Sequence, residues 1–183
     1  AKLRDQFPEA HRDQPPDETR DCLTTGIGSL DQIGIGRSEI NEVICPLDRS
    51  GSGPGLILSS LLRRLDSEKQ HLAYIDARDS FDPQSFGTET CRRLLWVRCR
   101  EVENAMKAAD WLVRDGNLPL VVLDLHLTPA KELRSIPSSN WHRLRGLVAK
   151  TGTTLLAFTP KKTIPSAHLR LTLERSFGLG ALE

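Results

Sequence analysis

The chain has 183 residues, 38% of them hydrophobic and 27% charged, with 25 basic against 24 acidic side chains and a net charge of +1. That length and mixture suit one globular α/β domain with its own core. The near-neutral balance excludes attraction of the whole molecule to nucleic acid. No apolar run approaches the roughly 18 residues of a membrane helix, and the first residues lack a secretory apolar region, so a cytoplasmic protein away from membranes is expected. The four cysteines (Cys22, Cys45, Cys91 and Cys99) form no C-x-x-C pair and read as reduced thiols, not disulfides or zinc ligands. His126 and His142 lack metal spacing, and no metal is assigned to them.

In chain order, residues 2–11 suit a short helix with Pro8 in or breaking its first turn. Residues 12–21, with Pro15-Pro16, read as a linker or surface arm, either a frayed end or a docking arm. A Gly-rich apolar turn covers 24–36. Ser38–Cys45 becomes a strand through Ile40, Val43 and Ile44. Residues 54–65 carry apolar side chains at helical spacing, with Pro54 at a first helical position, where its missing N–H costs nothing. Residues 71–76 form a short buried strand ending in Asp76, and 94–99 form another. Val102, Ala105, Met106, Ala109, Leu112 and Val113 make one stripe of a helix over 101–115, closed by Gly116. Residues 119–125 are the most apolar strand, suited to mid-sheet with both faces covered. A capped amphipathic helix is predicted over 138–150, ended by Gly152. A strand over 153–158 follows, and a strictly alternating edge or antiparallel strand over 168–174. Helices and strands alternate, so the fold class is α/β, a mainly parallel sheet with helices on both faces.

One stretch organises the rest. Residues 38–55 read as strand, Gly-rich loop and helix start, the layout in which loop amides and a helix N-terminus face a phosphate. The lysine of G-x-x-x-x-G-K-[ST] is absent: Gly51 and Gly53 are followed by Ser52 and Pro54, and the next lysine is Lys69. Without it the loop lacks the cation that grips the β- and γ-phosphates.

Several segments in order resemble the RecA-type recombinase core. These are Leu23-Thr-Thr-Gly-Ile-Gly-Ser-Leu-Asp31, Glu42-Val-Ile-Cys-Pro46, Tyr74-Ile-Asp-Ala-Arg-Asp-Ser-Phe-Asp-Pro83 and Leu120-Val-Val-Leu-Asp124. The resemblance spans about 23–160 and implies a RecA-like core. Its domain reading is an N-terminal arm or linker over 1–22, a degenerate ATPase domain over 23–175 and a tail over 176–183. Small size, the degraded loop, the 96–123 strand–helix–strand and the late strand at 169–174 most resemble ImuA, a RecA relative that assists bacterial translesion mutagenesis.

The resemblance implies site positions that can be checked against chemistry. Cys45, Pro46, Asp48, Arg49, Gly51, Ser52 and Gly53 fall in the degenerate phosphate loop, with the family's lysine at Ser52 or Gly53. Asp124 is the Walker-B-like carboxylate, read mainly as capping a neighbouring turn and otherwise as a Mg²⁺ ligand. Arg78 stands where the family has its water-activating glutamate, and a guanidinium stays protonated and cannot serve as a base. Asp79, one residue on, could substitute if the loop is shifted. Loss of the phosphate cation and of the base are separate defects, so no useful ATPase and no cofactor are expected.

Lys161 and Lys162, after the fifth core strand, are the best candidates for DNA or partner contact. Trp96, Trp111 and Trp141 read as core or half-buried anchors rather than stacking platforms. The apolar, Gly-rich tail suits packing on a partner or on its own domain. The expectation is a catalytically inactive, interacting RecA-like protein in the bacterial DNA-damage response. By resemblance its partners are RecA, an ImuB-like adaptor and an error-prone DnaE-type polymerase, with pairing of two copies an open option. The alternatives are a divergent nucleotide-binding ATPase or switch using Arg49 or Arg78, and a DNA-binding RecA paralogue.

Overall fold

A computed structural model describes residues 21–47 and 53–173. The expected helix at 2–11, the arm through residue 20, and the tail from 174 onward lie outside the described residues.

The chain opens with a two-strand hairpin, β1 (Cys22–Leu23) and β2 (Ile35–Gly36), antiparallel around the short helix α1 (Gly28–Ile33). Asp31 ties this turn together. Its carboxylate accepts the Thr25 amide and hydroxyl, both at 2.7 Å, and the Gly26 amide at 3.1 Å. Partial burial pushes the Asp31 carboxyl up, but these donors outweigh it and hold the group below its usual range. The Ser60 hydroxyl bonds the Thr25 carbonyl at 2.8 Å and pins the turn to the next helix.

The main sheet then builds in order: β3 (Ile40–Ile44), helix α2 (Gly53–Ser67), β4 (Leu72–Asp76), short helix α3 (Thr88–Cys91), β5 (Leu94–Arg98), helix α4 (Val102–Asp115), β6 (Leu120–Asp124), helices α5 (Ala130–Ser135) and α6 (Ser138–Thr151), β7 (Thr154–Thr159) and β8 (Leu169–Thr172). Its six strands run β5-β4-β6-β7-β3-β8, every adjacent pair parallel. Parallel strands are covered on both faces, so β3, β4, β6 and β7 are buried along their whole length. Their side chains alternate between two apolar layers. One layer packs Val121, Leu123, Leu155 and Ala157 against Ala105, Met106 and Ala109 of α4 and Trp141, Leu144 and Val148 of α6. The other packs Val43, Tyr74, Val122, Leu156 and Phe158 against Ile57, Leu58, Leu61, Leu62 and Leu65 of α2.

Several expectations are corrected. Of the two readings of the late strand, edge or antiparallel, the edge one holds; it runs parallel to β3, because the chain from β7 crosses over β3 before β8 begins. Helix α6 starts after Pro137 with no side-chain cap. Trp111 is 71% exposed, since it lies on the outer side of α4. The short helices α1, α3 and α5 carry too few turns to leave a periodic signal.

Candidate functional site

The carboxyl ends of parallel strands form one edge of such a sheet, and ligands of open α/β sheets bind there. At this edge Cys45 and Pro46 leave β3 and Gly53 begins α2. Asp48, Arg49, Gly51 and Ser52 lie outside the described residues. The Cys45 amide bonds the Thr159 carbonyl at 2.7 Å. Burial, with the Asp124 charge second, pushes the Cys45 thiol up to about 12, so it is no nucleophile at neutral pH. A Cβ on Gly53 would lie 2.5 Å from Leu173 Cδ1, so a side chain there must displace the leucine that follows β8.

Asp76 and Asp124 end neighbouring strands in register and share the α2 face. Asp76, 1% exposed, accepts the Phe81 amide at 2.7 Å, the Arg78 amide at 3.1 Å and the Ser80 hydroxyl at 3.3 Å. It therefore folds the 77–81 turn onto the strand end. Asp124 Oδ1 accepts the His126 amide at 2.9 Å, and Oδ2 accepts the Tyr74 hydroxyl in a short hydrogen bond. Burial is the largest influence on Asp124 and raises its carboxyl; the bonds from Tyr74 and His126 oppose it, and the Asp76 charge adds to the rise. Burial, then the Asp124 charge, also raises Tyr74, which therefore stays a hydroxyl donor.

Arg78 points away from the strand end. Its Nη1 lies 3.3 Å from Glu132 Oε2 on α5 and donates to the Arg100 carbonyl at 3.2 Å. Asp79, at φ +53°, is held by Arg98 through Nε at 2.6 Å and Nη2 at 3.0 Å. That hydrogen bond, partly offset by desolvation, keeps the Asp79 carboxyl below its usual range. Arg98 lies over the Trp96 ring at 4.7 Å, beside an aromatic cluster of Tyr74, Phe81 and Phe86. Lys161 and Lys162 are exposed at the turn after β7.

Sequence reasoning missed Glu42. It is fully buried on β3, and Arg170 Nε of β8 reaches its Oε2 at 2.6 Å. Oε1 accepts the Thr159 hydroxyl at 3.0 Å and the amides of Thr163 and Ile164 at 2.7 and 3.2 Å. A glutamate inside a run of Ile, Val and Cys was the available signal, because a fully buried charge requires a partner. Among the described residues no three His, Cys, Asp or Glu side chains are grouped to hold a metal. Nor is any described helix long and apolar enough to cross a membrane.

The six-stranded parallel sheet with helices on both faces defines an α/β protein, an arrangement consistent with a RecA-like core. The chain is similar to the protein RecA of Bifidobacterium longum (strain NCC 2705), 24% identical over 159 residues; this covers 77% of the chain and 40% of that relative's length. No protein-family profile matches it. Sheet and similarity together support a place in the RecA-like superfamily.

Proposed function

We propose that this RecA-like domain does not hydrolyse nucleotide and acts as an accessory interaction factor of the ImuA kind in the bacterial DNA-damage response and translesion mutagenesis. The observation that carries the reading is Asp124: both its oxygens are engaged within the protein, by Tyr74 and by the His126 amide. Each bond occupies one lone pair and draws charge from the carboxylate, which weakens it as a metal ligand. Two further features favour it. Arg78, at the position of the base, is turned to Glu132, and Leu173 sits against Gly53, where a phosphate-gripping lysine would begin. Electrostatic positioning supplies most of phosphoryl-transfer catalysis, so each of these features weighs against turnover. On this reading the partners are RecA, an ImuB-like adaptor or an error-prone DnaE-type polymerase, met through protein surfaces in the cytoplasm.

The test is phosphate release and thermal shift with Mg·ATP, alongside pull-down with RecA and the adaptor. The expected result is no phosphate release above buffer, no shift, and capture of at least one partner. Measurable turnover, or failure with both partners, would overturn the proposal. A second reading, local DNA contact, draws support from the exposed pair Lys161 and Lys162. Its signature would be DNA binding that weakens steeply between low and high salt.

A further inference from the structure

The crossover from β7 to β8 is unusual for its length. Parallel neighbours are ordinarily joined by a dozen or more residues that include a helix. Here residues 160–168 cross β3 without one, and β7 and β8 flank that strand on either side. The crossing loop does a helix's work on the α4/α6 face. Ile164 is fully buried in that apolar layer, and the Ser166 hydroxyl bonds the Trp141 carbonyl of α6 at 3.0 Å.

A loop that crosses a sheet face has amides with no ladder partner, and buried amides must be satisfied. Glu42 supplies the acceptor. It pairs in register with Ala157 on one side and Arg170 on the other, so it points up beneath the loop. Its carboxylate takes the Thr163 and Ile164 amides, the Thr159 hydroxyl and Arg170 Nε, while Arg170 Nη2 returns to the Ile164 carbonyl at 2.6 Å. One carboxylate thus joins three strands and the loop. Beyond it, β8 is held to β3 by bonds that include the His168 amide to Ile40 at 2.8 Å and the Leu173 amide to Ile44 at 2.9 Å.

We propose that Glu42 is the latch of one cooperative unit, residues 160–173, which fixes the Lys161–Lys162 turn at one end and keeps Leu173 over the first turn of α2 at the other. With Glu42 closed on Arg170 the loop and the edge strand are one body. With the latch broken, the loop amides and the β8 guanidinium lose their common partner and both ends are released together. The basic turn and the cover on α2 are therefore coupled through a side chain bonded to Thr163, Ile164 and Arg170, which lie between them in the chain.

Hydrogen exchange on the full chain tests this, comparing wild type with Glu42→Gln and Arg170→Met. Both substitutions should speed exchange at least tenfold in the loop (160–164) and in β8 with its flanking residues (168–173) together, with β4 and β6 unchanged. Acceleration confined to the loop, acceleration spread evenly over the chain, or no change would each overturn the proposal. If Glu42→Gln yields no folded protein, Arg170→Met decides alone: it removes the Ile164 carbonyl's bond to Arg170 but leaves the Thr163 amide on Glu42, so the readout is the Thr163 amide, which speeds with β8 only if the two form one unit.

Discussion

Two buried carboxylates lie on opposite faces of the same sheet and are treated in opposite ways. Glu42, on the α4/α6 face, meets a guanidinium and three further donors. Asp124, on the α2 face at the strand ends, meets one hydroxyl and one amide, and burial raises its carboxyl. A buried charge is tolerated when it is paired and bonded, and is otherwise pushed toward its neutral form. Glu42 therefore contributes to the architecture. Asp124 is carried at a cost, because burial disfavours its charged form.

The contrast can be broken by substitution. Glu42→Ala should have the largest effect, because it leaves Arg170 without its carboxylate and strands two loop amides. A loss of about 3–5 kcal/mol in urea unfolding is expected, the cost of breaking a buried pair from one side. A loss below about 1 kcal/mol would place Glu42 in the same class as surface pairs.

Asp124→Asn should act in the other direction. The amide can accept from His126 and donate to the Tyr74 oxygen, and no charge remains buried. In the wild type the folded carboxyl is raised above the unfolded one, near 3.9. The folded state then holds a proton that the unfolded state has lost, so stability is full below the unfolded value and falls as pH rises through the folded value. Thermal melts should therefore show Asp124→Asn more stable than wild type at neutral pH, with the gap closing as pH falls toward 4. An unchanged gap across that range would mean that folding does not raise the Asp124 carboxyl.

Arg78→Ala should have the smallest effect. Its bond to Glu132 joins two partly exposed side chains, with relative exposures of 30% and 36%, so solvent screens it and a change of less than about 1 kcal/mol is expected. A larger loss would show that Arg78 anchors α5 to the strand ends.

Parts of the site were legible in the sequence because their cause is local. Asp76 and Asp124 could be placed at strand ends because the apolar runs before them stop there. The Thr25–Asp31 turn was legible as a motif, and its carboxylate reaches only six residues back. Arg78 could be set against the base position, but its turn toward Glu132 joins residues 54 apart and leaves no mark in either segment. Glu42 was overlooked because its partner lies 128 residues away.

By itself the sequence determined the alternation of strand and helix, which face of each of the three long helices is apolar, and the loss of a lysine from the Gly-rich loop. Those follow from side-chain period and residue type, which act within a few residues. Only the tertiary structure decided that β8 runs parallel at the edge, that Tyr74 meets Asp124, that Leu173 lies on Gly53 and that Arg170 closes on Glu42. Each of these depends on strand order and register, which are set by burying every apolar face at once rather than by any single segment.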